Sequence, residues 1–141
     1  MKKEELMIGD LVSVLGMPFR IAELGTVRAG CLDEKGEISY NCYAIIEPIP
    51  FTKEIVEKNG FTRHLAYDYE DEVYRLFVGE EDDGDYYLKS YSIEICTKNS
   101  RGRIHRHIYP IPYTEFSGTI KYIHELQHAL RLCGIEKEIE I

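Results

Sequence analysis

Residues 119–134 read TIKYIHELQHALRLCG, the longest stretch of this chain with helical periodicity. At about 100° per residue, Ile123, Leu126, Leu130 and Cys133 fall on one stripe, widened by Tyr122 and Ala129. A stripe of that width is a core-facing seam, and most of what precedes it reads as short strands and turns. The helix must therefore lie apolar side down on a sheet. Thr119 or Ser117 supplies a hydroxyl to cap its start. Gly134 suits the left-handed position just past its end, which lets Ile135 fold back onto Leu130 in a Schellman-type ending.

The same helix carries the string His124-Glu125-Leu126-Gln127-His128, a formal match to the zinc-protease pattern HExxH. Helical spacing sets His124 and His128 one turn apart on one face, as two zinc ligands require, with Glu125 placed to act as base on a bound water. A catalytic zinc needs a third protein ligand, and the downstream positions fill it poorly. The metzincin extension calls for Gly at 131 and His at 134, where this chain has Arg131 and Gly134. Beyond them only Glu136, Glu138 and Glu140 remain, and upstream His105 and His107 stand at no recognised spacing. Arg131 also lies on the face of His128 and would set a fixed positive charge beside the cation. Both histidines lie nearly opposite the apolar seam, where an amphipathic helix meets solvent. The expectation is a solvated or locally bonded histidine pair, with no catalytic residue, metal or cofactor. The enzyme alternative is a zinc metallopeptidase, with His124 and His128 as ligands and Glu125 as base.

At 141 residues, 44% of them hydrophobic, the chain holds one ordinary domain or two very small ones. No apolar run approaches the ~20 residues of a membrane span, and the opening MKKEELMIGDLV lacks the apolar core and cleavage site of a signal peptide. A cytoplasmic protein is expected, with no membrane partner. Cys31, Cys42, Cys96 and Cys133 form no CxxC pair and read as reduced, mostly buried thiols; a Cys31–Cys42 bridge would need an oxidising compartment. A net charge of −8 disfavours a general nucleic-acid binder.

Taken in order, the first 50 residues read as a β-meander: strands at 11–15, 19–24, 26–32 and 38–46, with turns at Gly16-Met17-Pro18 and at Asp33 to Gly36. So many short strands suggest a small SH3-like barrel or curled sheet. Pro48 and Pro50 end the meander, since proline cannot donate to a ladder. Thr52 then caps a short helix at 53–59, Phe51 staples onto Val56, and Asn59-Gly60 closes it. Residues 64–109 read as a second antiparallel region, with strands at 73–78, 86–97 and 103–109 and a weaker one at 64–69. Its turns are the acidic 80–85, which lacks the EF-hand order of calcium ligands, and 98–102. Residues 135–141 suit a short final strand or an ordered tail.

Lys98, Arg101, Arg103 and Arg106 make the one basic cluster, with His105 and His107 on the same strand. Cross-strand pairing with acidic neighbours accounts for it most simply. The sharper reading is a weak nucleic-acid site using Arg101, Arg103 and Arg106. The segment IYPIPYT at 108–114 echoes IEPIPFT at 46–52, either as shared strand-and-cap punctuation or as the trace of a duplicated unit.

Three stretches carry a resemblance to a family of small bacterial proteins often encoded in prophages and other mobile elements. They are ELMIGDLV (5–12), PIPFTKEIVEKNGF (48–61) and IKYIHELQHALRLCGIEKEI (120–139), so the likeness covers both ends and the middle of the chain. It implies no known activity, cofactor or substrate. In that family Gln often stands at the position of Glu125 and Asn at that of His128, which implies that HExxH here is one variant of a structural helix.

The expected protein is α+β. A β-meander at 1–50, SH3-like, precedes a short helix, an antiparallel sheet and a packed C-terminal helix at 51–141, and the two parts share one core or stand as two. The expected function is a non-enzymatic binding or accessory role in mobile-element biology, through a protein partner or a second copy of the chain.

Overall fold

The computed structural model describes residues 1–64, 73–79, 90–108 and 111–141, and all statements below concern these. The first half is an antiparallel sheet of β1 (Leu11–Val14), β2 (Met17–Leu24), β3 (Arg28–Leu32), β4 (Ile38–Cys42) and β5 (Ile46–Pro48), in the order β4-β3-β2-β1-β5. A single 3-10 turn, Tyr43–Ile45, leads from β4 back to β5, which pairs with β1. Among the described residues β4 and β5 are the two edges, and no pairing closes them into a barrel. The first turn is tighter than expected: Leu15 and Gly16 make it alone, at φ 53° and 82°, and Met17 and Pro18 already belong to β2. Pro18 is tolerated because pairing with β3 begins only at Arg20, so β1 alone flanks it.

Thr52 caps α1 (Lys53–Lys58) by accepting from Ile55 N–H, and Gly60 at φ 83° turns the chain so that Phe61 N–H reaches Val56 O at 3.2 Å. The second sheet runs β10-β9-β8-β7-β6, with β6 (Thr62–His64), β7 (Val73–Val78), β8 (Ser90–Cys96), β9 (Arg101–Ile108) and β10 (Ile111–Thr119). The weak strand expected at 64–69 and the acidic turn at 80–85 lie almost wholly outside the described residues. The turn at 98–102 is in place, shortened to the residues between Cys96 and Arg101.

Strand β10 is not expected from the sequence, because Pro112 speaks against a central strand. It is an edge strand, and an edge accepts a residue that cannot donate outward. Two segments that look alike thus serve differently: 49–52 leads into a helix cap, whereas 111–114 opens a nine-residue strand. Gly102 on β9 allows Ile120 to sit against the sheet, since a Cβ there would lie 2.2 Å from Ile120 Cδ1.

Helix α2 (Ile123–Leu132) begins later than expected, and neither Thr119 nor Ser117 caps it. Its end is as expected: Gly134 is left-handed at φ 69°, Gly134 N–H bonds Arg131 O, and Ile135 N–H bonds Leu130 O at 2.9 Å. Ile123, Leu126, Ala129 and Leu130 sit in one apolar cluster with Tyr74, Ile93, Ile95 and Ile104 of the second sheet. The residues after α2 form no strand, but Asn59 holds them by bonding both N–H and C=O of Glu140. A second cluster, Leu6, Val12, Val14, Ile21, Ala29, Cys31 and Ile46, fills the first sheet. Leu11 of β1 faces the other way and belongs with the helix cluster. The four cysteines are free thiols; Cys31 and Cys96 are buried, Cys133 half-buried and Cys42 exposed.

Candidate functional site: the HELQH helix and its carboxylate anchor

The expected solvent-facing position of the histidines is wrong. His124 and Gln127 are each only 6% exposed, and His128 is half-buried. The reason is the first sheet. Helix α2 lays its apolar seam on the second sheet, and a neighbouring stripe at i, i+3, i+4 and i+7 (His124, Gln127, His128, Arg131) against β1 and the loop before it.

That loop delivers Asp10, whose side chain is wholly buried. Its Oδ1 accepts from Arg131 Nη1 at 2.8 Å, and its Oδ2 from His128 Nε2 at 2.8 Å and from Met7 N–H at 2.7 Å. A buried carboxylate is tolerated when its lone pairs meet donors and a cation neutralises it, and Asp10 has both. Gln127 adds two bonds to the adjoining main chain, accepting from Leu11 N–H at 2.9 Å and donating to Gly9 O at 3.2 Å. Arg20 Nη1 donates to the same Gly9 oxygen at 3.0 Å. Gly9 is favoured here by its φ of 91°, and a Cβ would also crowd Arg131 Nη2 at 2.9 Å.

Glu125 points the other way. Its Oε2 accepts from Lys121 N–H at 2.6 Å and Tyr122 N–H at 3.0 Å, capping the orphan donors at the start of α2. The carboxylate that HExxH would assign to a water is thus a helix cap. His124 packs as an aromatic ring, stacked on Tyr122 with centroids 5.8 Å apart and edge-on to His128 at 5.7 Å. Its Nδ1 is buried without a hydrogen-bond partner.

The three motif residues are each directed elsewhere than at a common point. His128 directs Nε2 at Asp10, Glu125 is turned to the main chain, and both oxygens of Asp10 already accept bonds from the helix or its own loop. Among the described residues no group of three His, Cys, Asp or Glu is gathered to hold a metal. Arg131 lies on the face of His128 as its spacing requires, bound to the same carboxylate. Asp10 and Gln127 are the anchoring residues of this helix that the sequence does not single out. Asp10 stands 118 residues from His128, and no local pattern links them.

Burial holds the His124 imidazole below its ordinary pKa of 6.5, outweighing the opposing pull of Asp10 and Glu125. A depressed pKa in the folded state means that the unfolded chain takes up the proton first. The neutral ring's contribution is therefore present above the ordinary value and is lost as pH falls through it. Stability measured by urea unfolding is expected to decline from about pH 8 to about pH 5.5. The decline should be smaller in His124→Phe, which keeps the stacking and removes the buried orphan nitrogen.

The basic cluster divides. Arg106 lies 3.6 Å from Glu115. Glu94 is paired with Arg75 and lies 3.8 Å from His105 Nε2. Of the cluster members, Arg106 shows an ion pair of the expected cross-strand kind. Arg101 and Arg103 are exposed and make no ion pair among the described residues. Among the described residues no helix is long and apolar enough to cross a membrane. No protein-family model, curated protein or solved structure matches this chain.

Proposed function

We propose that this protein is a non-enzymatic binding or accessory protein, with the HELQH helix as its internal fastener. One observation carries this reading: Glu125, Gln127 and His128 each bond to a group of the chain itself rather than facing a shared open space. A hydrolytic zinc site needs an open coordination position beside a free base. Here the base caps a helix, and one ligand nitrogen donates to a buried carboxylate. Association with prophages or other mobile elements rests on the resemblance carried by residues 5–12, 48–61 and 120–139. An SH3-like character for the first sheet is supported by its connectivity, in which a 3-10 turn returns β5 to the side of β1. Fold alone assigns it no ligand.

The experiment is elemental analysis of purified protein after incubation with zinc and desalting. The expected result is well below about 0.2 zinc per chain, unchanged in His124→Ala and His128→Ala. Stoichiometric zinc that disappears in His124→Ala would overturn the reading in favour of a metallopeptidase.

A further inference from the structure

We infer that the outer face of the second sheet, the face turned away from α2, binds single-stranded nucleic acid. The inference rests on the binding-protein reading and gives that reading a ligand class.

Strand alternation sets the face. Gly102 and Ile104 of β9 are buried toward the helix, so Arg101, Arg103, His105 and His107 project outward. In register beside them are Cys96, Glu94, Ser92 and Ser90 of β8, and then Val73, Arg75 and Phe77 of β7 opposite Cys96, Glu94 and Ser92. Among the described residues three guanidinium groups thus share one face with a single carboxylate, Glu94, and Glu94 is already engaged by Arg75 and flanked by His105. The described residues of this face carry local positive charge on a chain whose net charge is −8.

At one end lies a hollow of about 180 Å³ lined by Val73, Glu94, Cys96, Asn99, Arg101 and Arg103. Asn99 Oδ1 accepts from Arg101 N–H, which leaves its amide N–H groups available as donors. Two guanidinium groups and an amide around such a volume suit a phosphate group. Glu94, in register with Arg103, also lines the hollow and is paired with Arg75. At the other end Phe77 is 59% exposed, and its ring stacks on His107 with centroids 5.0 Å apart at 26°. His107 Nε2 is buried with no hydrogen-bond partner. An exposed aromatic ring backed by an imidazole is a stacking platform for a base. From Arg103 to His107 the strand rises about 13 Å, the reach of roughly two nucleotides.

Charge and an aromatic platform together favour a nucleic acid over an acidic peptide, which would use the charge and leave Phe77 idle. A single strand fits better than a duplex because stacking on Phe77 requires an unpaired base.

The test is fluorescence anisotropy of a labelled single-stranded RNA of about twelve nucleotides, at low salt and over a salt series. Wild-type protein is expected to bind with affinity that falls as salt rises. Arg101→Glu with Arg103→Glu should weaken binding more than about tenfold, and Phe77→Ala by about tenfold. Thermal unfolding of each variant confirms that it remains folded. Three results would each overturn the inference: no salt-dependent binding by wild type, binding indifferent to the folded double variant, or equal displacement by polyglutamate with no effect of Phe77→Ala. The last would mark simple attraction of any polyanion. None of them bears on zinc content, so the binding-protein reading is tested separately.

Discussion

Asp10→Ala is expected to lower the unfolding free energy by about 3 kcal/mol, read from urea denaturation at neutral pH. The carboxylate it removes is wholly buried and accepts from Met7, His128 and Arg131. Breaking a buried charged pair by deleting one partner costs about 3–5 kcal/mol, because the other group is left without compensation. The lower end applies, since Arg131 and His128 keep 34% and 24% exposure and regain some water. Asp10→Asn should fall between: it retains an acceptor for Met7 N–H but cannot balance the guanidinium. A loss within about 0.5 kcal/mol, as at a surface position, would contradict the anchoring role of Asp10.

Leu126→Ala is expected to cost about 3–4 kcal/mol, whereas Leu132→Ala on the same helix should change stability by less than about 0.5 kcal/mol. Leu126 is fully buried in the cluster that joins α2 to the second sheet, and truncation would leave a cavity walled by rigid strands. Leu132 is 81% exposed. Equal effects at the two positions, in the same urea assay, would mean that α2 packs by another face.

What could be read from the sequence follows from the range of the interactions. The apolar seam of α2, the capping of α1 by Thr52 and the glycine-terminated ends of both helices depend on residues within a turn of one another, and periodicity and capping chemistry express them directly. The α+β arrangement of two antiparallel sheets with a C-terminal helix followed from the same local signals. Strand β10 was hidden because its proline speaks against a central strand, and only topology shows that it lies at an edge. The burial of His124 and Gln127 was hidden for a similar reason. One helix face was visibly apolar, but the neighbouring face is buried by polar bonds to residues more than a hundred positions away. The geometric relation of Arg131 to His128 was legible, and the carboxylate that both of them reach was not.

The second face of α2 holds the N-terminal loop through Asp10. A double-mutant cycle between Asp10→Ala and Arg131→Ala, measured by urea unfolding, tests it most directly. A coupling of at least about 1 kcal/mol is expected between two residues 121 positions apart. Additive losses, with coupling near zero, would contradict it.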